Sequence, residues 1–298
     1  MKKPSMQFAP GTVVVPKPKK RYIGSAVYYV FGILLAAIFV SPVLYMIAAS
    51  TKNDDVLAHQ SGSLLMFLPS FDFAAWGENY GAVFGEGGIF RNGLLTLGYA
   101  GIVIVLNVLI NGLAAYAIAK LHFPGKKLLR FLILFLIIVP IETSIIPLYT
   151  ICYDVLGLKG NASVLSFLLP SSISIFNIFL FIQFFSSIPS SYEEAARIDG
   201  ASTLSIFFRI IVPLSRPIIA TVAVFCFIGV WNDYVWPSMV LPQEFQPIQS
   251  ALNGFQSRDL PTGAKMASLV VTSFPIFVLY VVAQKYIVKG FGAGGLKL

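Results

Sequence analysis

The chain has 298 residues, 57% of them hydrophobic and only 11% charged, with a formal charge of +8. Soluble domains carry about 25% charged residues, so these proportions exclude a water-soluble fold and make the bilayer the expected solvent. The excess of Lys and Arg does not point to nucleic acid, because no basic face interleaved with aromatics is present.

Residues 1–21 are polar and end in Lys17, Lys19, Lys20 and Arg21. The apolar run behind them, Tyr22 to Ser50, is too long for the ~7–15-residue core of a removable signal and reads as a first spanning helix. A span needs ~20 mainly apolar residues. Five more segments qualify, at about 93–119, 128–151, 163–187, 217–240 and 264–287. The expected fold is all-α: six transmembrane helices forming one domain over 22–288, between an N-terminal segment 1–21 and a tail 289–298. Pro42, Pro140, Pro147, Pro170 and Pro275 are expected to kink their helices, with neighbours satisfying the freed carbonyls. Cys152 and Cys226 have no metal-ligand spacing and argue for no disulfide.

With the N-terminus inside, 16 Lys and Arg residues fall on the cytoplasmic side and 5 outside. The bias predicts both termini in the cytoplasm. The longest outer segment, 51–92, holds Asp54, Asp55, Trp76, Asn79 and Tyr80.

Ionisable groups within spans usually face a bundle interior or a cavity. Glu142 lies in the third span beside Pro140, and Asp233 in the fifth beside Trp231 and Asn232. Two readings stand. These residues and Asn177 line a polar pathway that bonds a solute, or they bond helix to helix, with Asp233 at the outer interface. For Asn107, Asn111, Asn177 and Gln183, helix-to-helix bonding is favoured. His59 and His122 are isolated and expected to be solvated.

The segment 188–216 falls on the cytoplasmic side. Pro189 blocks continuation of the fourth span. Ser190 and Ser191 each stand three residues before a glutamate, Glu193 and Glu194, a capping-box spacing. Gly200 is placed to stop this short helix with positive φ. A second short helix, about 202–211, is expected to end at Pro213. Ala195 and Ala196 would let another protein approach the backbone, and Glu194 offers it a fixed charge.

No G-x-x-x-x-G-K-[ST] phosphate loop is present, nor H-E-x-x-H, C-x-x-C or a nucleophile elbow. Neither catalysis by this chain nor a cofactor of its own is expected.

Glu194-Ala195-Ala196, Gly200 and Ile210-Ile211-Val212-Pro213 resemble the E-A-A-x3-G-x9-I-x-L-P loop of ABC importer permeases, with Val212 where Leu is usual. Ile198-Asp199-Gly200-Ala201-Ser202 resembles the sugar-importer version. Trp231-Asn232-Asp233, Glu78-Asn79-Tyr80 and the glycine-rich stretch from Gly290 to Gly295 also fit. Together they resemble the MalG-like permease half of carbohydrate importers, the binding-protein-dependent inner-membrane components, over nearly the whole chain from about residue 24. The tail from Gly294 to Leu298 departs from the family's usual Lys-Gly ending.

The resemblance implies a bacterial plasma-membrane protein that works with a second permease subunit, two ATPase subunits and an extracytoplasmic solute-binding protein. ATP and Mg would sit on the ATPase. Glu193, Glu194, Ala195, Ala196, Asp199, Gly200 and Pro213 would couple to it, and the cargo would be a sugar or oligosaccharide. The alternatives are an ABC importer permease for another solute, such as a polyamine or phosphate ester, and a self-contained secondary transporter, for which no internal repeat is visible.

Overall fold

The computed structural model describes residues 22–85 and 89–294, with side chains over 27–85 and 89–284. The segment 1–21 and the last four residues of the expected tail lie outside the described residues. In chain order the helices are α1 Tyr22–Ala49, α2 Asp54–Gln60, α3 Phe73–Phe84, α4 Phe90–Lys120, α5 Lys126–Leu136, α6 Ile145–Thr150, α7 Ser163–Ser171 and α8 Ile175–Ser187. They continue as α9 Ser191–Ile198, α10 Thr203–Ile206, α11 Val212–Leu214, α12 Arg216–Asn232, α13 Val235–Val240, α14 Ile248–Gln256 and α15 Thr262–Gly294. No strand occurs among the described residues.

Among the described residues only α1, α4 and α15 are single helices long and apolar enough to cross a membrane; the other three expected spans are interrupted. The third is Lys126–Leu136 followed by Ile141–Val155, bent by 103°. The break falls at Pro140, which has no N–H to give and disfavours helix in the residue before it. The fourth turns by 42° between α7 and α8. The fifth ends at Asn232, eight residues before its expected limit, and Asp233 caps it in extended backbone. The sixth runs on to Gly294, past the expected boundary of the tail.

The prolines left inside helices free carbonyls, and neighbours take two of them up. Pro170 gives no N–H to the Ser166 carbonyl, which accepts Trp236 Nε1–H instead at 3.1 Å. Pro42 likewise frees the Ile38 carbonyl, and Ser41 Oγ donates to it at 3.0 Å. Such substitutions make proline tolerable in lipid.

Helix α4 is the central post. Thr96, Tyr99, Ala100, Val103, Asn107, Asn111, Ala115 and Tyr116 repeat at helical spacing on its buried face, against α8 and α12. Its amides stitch that contact. Asn177 Nδ2 of α8 donates to Asn107 Oδ1 at 3.2 Å and meets Cys226 Sγ of α12 at 3.4 Å, and Asn111 Nδ2 donates to the Ser172 carbonyl at 3.1 Å.

A second knot ties the first and last spans together at the opposite end from α9. Asn79 Nδ2 of α3 donates to the Ser50 and Lys52 carbonyls at 3.1 and 2.9 Å. Lys52 is 1% exposed. Its ammonium donates to Gln60 Oε1, the Leu65 carbonyl and the Met66 carbonyl at 2.7, 3.0 and 3.3 Å. Burial lowers its pKa. Asp54 Oδ1 accepts the Thr262 N–H at 2.8 Å, placing a carboxylate at the N-terminus of α15 where the helix dipole favours it.

Gly263 in the first turn of α15 passes so close that a Cβ there would lie 2.2 Å from the Lys52 carbonyl oxygen and 2.3 Å from Asn79 Nδ2. Gly263→Ala is therefore expected to cost about 2–3 kcal/mol and to lower the thermal unfolding midpoint of the detergent-purified chain. Gly77→Ala, in α3 with nothing within 4 Å of the new methyl, is expected to leave that midpoint unchanged or raise it.

Candidate functional site

Helix α9 carries Glu193 and Glu194 in its first turn and Arg197 in its last, a charge order that suits the dipole. The expected capping box does not form. Ser190 is already helical, at φ −65° and ψ −22°, and its side chain makes no cap bond. Its carbonyl instead accepts the Glu193 and Glu194 N–H groups at 2.9 and 3.0 Å.

The glutamate that would have closed the box is drawn inward. Glu193 is buried, with Oε1 3.2 Å from Lys120 Nζ and Oε2 accepting Tyr116 Oη–H at 3.2 Å. Arg197 lies 3.8 Å from the same carboxylate. Lys120 also donates to the Ile188 carbonyl, which holds the entry to α9. Lys126 and Arg130 of α5 donate to the Ala119, Leu121 and Ile118 carbonyls at the same end of α4, where cations meet unpaired carbonyls and the negative end of the dipole.

The far end of α9 closes as expected. Gly200 has φ +79°. The Gly200 N–H reaches the Arg197 carbonyl at 3.0 Å and the Ala201 N–H the Ala196 carbonyl at 2.9 Å, the paired bonds of a Schellman ending. The chain then re-enters helix at α10, capped by Ser202 Oγ.

Pro213 does not end the second short helix; it lies inside α11. A π turn over Phe207–Ile211 precedes it. A proline ring clashes with the carbonyl four residues back. Here that is Arg209, whose carbonyl lies in the widened turn. The helix stops instead at Ser215, and the chain bends 82° into α12. The π turn also seats the segment: Phe207 is 1% exposed, its ring 5.4 Å from that of Tyr116 and its edge against Gly112. Both halves of the 191–214 segment thus bear on the last turns of α4.

What remains outward is a compact mixed surface. Tyr192, Glu194, Ala195, Asp199 and Gly200 are exposed, with Ile198 at 87% and Leu204 at 60%. Ala196 is half-buried and packs inward on the core. The two alanines therefore face opposite ways, and of the two adjacent glutamates only Glu194 is available to another protein.

The residues expected along a pathway are not brought together. Asn177 is buried between α4 and α8, where its amide bonds helix to helix. Trp231 is 1% exposed, stacks on Phe227 at 5.3 Å and donates Nε1–H to the Thr272 carbonyl at 3.1 Å. Neither offers a free surface within this subunit. Glu142 is exposed in a short 3-10 turn, Ile141–Ser144, at the break of the third span. Asn232 is exposed and Asp233 half-buried, with Oδ1 accepting the Trp236 N–H at 3.4 Å.

Lys120, Tyr116 and Phe207 were not singled out by sequence reasoning. A lysine closing a long apolar run reads as a membrane-end anchor, and nothing in its neighbours names a glutamate 73 positions away. Among the described residues no group of His, Cys, Asp and Glu is arranged to hold a metal ion.

Residues 112–292 match the family described as the binding-protein-dependent transport system inner membrane component. The chain belongs to that family. It is 30% identical over 287 residues to a polygalacturonan/rhamnogalacturonan transport system permease protein, YtcP, of Bacillus subtilis, covering 90% of this chain and 96% of that one. It is 30% identical over 271 residues to an arabinooligosaccharides transport system permease protein, AraQ, of Halalkalibacterium halodurans, covering 88% and 93%. A solved bacterial ABC transporter involved in the import of the acidic polysaccharide alginate contains a chain that superposes with a TM-score of 0.76 at 26% identity, over 91% of this chain and 98% of that one. The protein is thus a multi-pass, non-catalytic permease subunit, and a self-contained secondary transporter is set aside.

The two adjacent glutamates separate on stability. Glu193→Ala leaves Lys120 buried without its carboxylate and is expected to cost about 3 kcal/mol. Glu194→Ala, on the exposed face, is expected to change stability by less than about 0.5 kcal/mol. Thermal unfolding of the two purified variants checks the difference.

Proposed function

We propose that the chain is one permease half of an ATP-driven importer of sugars or oligosaccharides, with both termini in the cytoplasm. It works with a second permease chain, two ATPase subunits that hold ATP and Mg, and an extracytoplasmic solute-binding protein. The observation that carries the reading is the 191–214 segment: an exposed knob of Tyr192, Glu194, Ala195 and Ile198 on a helix locked to the end of α4. Exposed apolar side chains beside a free carboxylate suit a protein cleft. The sugar class is supported by the named cargoes of the relatives and by the Ile198-Asp199-Gly200 and Trp231-Asn232-Asp233 stretches.

In this reading ATP closes the ATPase pair and displaces α9. Glu193 and Phe207 pass the displacement to α4, and the amides of α4 carry α8 and α12 with it. The two permease halves then rock to open a central path alternately to each side. Coupling requires the contact free energy of the knob to differ between the open and closed ATPase states. Glu142, Asn232 and Asp233 are the expected pathway residues with surface to offer. Helix α1, apolar and bare along Val27–Val40, is surface for lipid or the second permease.

Glu194→Lys reverses the charge of the knob, and Gly200→Asp puts a charged side chain at positive φ, where glycine is favoured. Each is expected to cut sugar uptake by the reconstituted complex at least about tenfold and to loosen ATPase attachment, with membrane insertion intact. Wild-type uptake in both removes the lever. A cysteine at position 195 is expected to react with a membrane-impermeant reagent only after cells are opened. Labelling in intact cells overturns the orientation.

A further inference from the structure

The stretch from Trp231 to Gln256 contains no Lys or Arg and only two acidic residues, Asp233 and Glu244. Within it the chain folds back on the end of α12. Helix α14 buries Ile248 and Phe255 and turns Gln249 and Asn253, one helical turn apart, toward Asn232 and Tyr234. Tyr234, Gln249 and Asn253 line a shallow cavity of about 180 Å³ together with Leu252 and Gln256, and Asn232 adjoins it through Gln249. Tyr234 is 43% exposed.

The bonds within the group are single and long. Gln249 Nε2 meets Asn232 Oδ1 at 3.4 Å, and Tyr234 Oη meets Asn253 Oδ1 at 3.4 Å. Each amide keeps one of its two polar ends unused: the Asn232 and Asn253 amide nitrogens and Gln249 Oε1. The neighbouring Gln256 is different. Its amide nitrogen is spent inward on the Lys265 carbonyl and Ser268 Oγ, at 2.9 and 2.8 Å, so it serves as wall rather than contact.

Free amide donors and acceptors alternating beside an exposed aromatic ring match a sugar. Each hydroxyl both donates and accepts, and the C–H face of the ring covers apolar surface. With no charged group among the lining side chains, the site discriminates by hydroxyl pattern and not by ionic attraction.

We propose that Asn232, Tyr234, Gln249 and Asn253 form a glycan-hydroxyl subsite at the outer end of α12, taking one ring of an uncharged sugar on its way into the bundle. The inference rests on the sugar-importer reading above and locates on this permease half a contact with the cargo.

The test uses the whole complex, with both permeases, the ATPases and the binding protein, reconstituted in vesicles. Trehalose, raffinose, arabinotriose and digalacturonate are the probes. In the double variant Gln249→Ala/Asn253→Ala, sugar moved per ATP hydrolysed at saturating loaded binding protein is expected to fall about tenfold. The ranking among the neutral sugars is expected to change. Tyr234→Phe, which removes a single oxygen, is expected to act in the same direction about threefold. An unchanged ratio and ranking in all variants overturns the subsite. A loss of uptake that merely follows weaker binding-protein docking, at constant sugar per ATP, also overturns it and makes this face a protein contact. If the wild-type complex hydrolyses ATP on docking but moves none of the four sugars, the sugar-importer reading falls and the subsite with it.

Discussion

One buried ion pair fixes the geometry on which the rest of the chain acts. Glu193 reaches back from α9 to Lys120 and Tyr116 at the end of the longest buried helix. A carboxylate removed from water needs both a cation and hydrogen bonds; the last turns of α4 supply Lys120 and the Tyr116 hydroxyl, and Arg197 of α9 itself lies 3.8 Å away. The short helix therefore has one seat. Phe207 makes a second attachment fourteen residues later, against Gly112 and Tyr116. Two attachments of different chemistry, ionic and packed, stop the knob from pivoting on either alone.

The spans were legible because their cause is local. A run of about twenty apolar residues has nowhere to go but lipid, and the break at Pro140 follows from its missing N–H group. The positive φ at Gly200 was legible for the same reason. What escaped was decided by partners distant in sequence. The Ser190 spacing is right for a capping box, but Lys120 competes for the same Glu193 side chain and wins. Pro213 reads as a helix end until the wide turn before it removes the clash. Nothing near Lys52 in sequence announces its enclosure, which comes from two carbonyls and Gln60 converging on its ammonium.

Among the pathway residues, burial decided what composition left open. A hydropathy pattern says that Asn177 and Trp231 lie in spans and not which neighbour each faces. Asn177 is spent on Asn107 and Cys226, and Trp231 on Thr272 and Phe227. Polar groups at that depth are stitches between α4, α8, α12 and α15. The groups left with surface to spare gather at Asn232 and beyond, and at Glu142, where helices end or break and backbone order gives way to side-chain chemistry.

The knot of Lys52, Asn79, Asp54 and Gly263 has a consequence for how the protein is made. Lys52 leaves the ribosome early, while Thr262 and Gly263 emerge some two hundred positions later. Until they arrive, the Asp54 carboxylate has no Thr262 N–H to accept, and the place beside Lys52 and Asn79 that Gly263 fills stands open. Assembly of this subunit is thus completed by its final pass, and a nascent chain that stalls short of it presents the cell's quality control with an open seam.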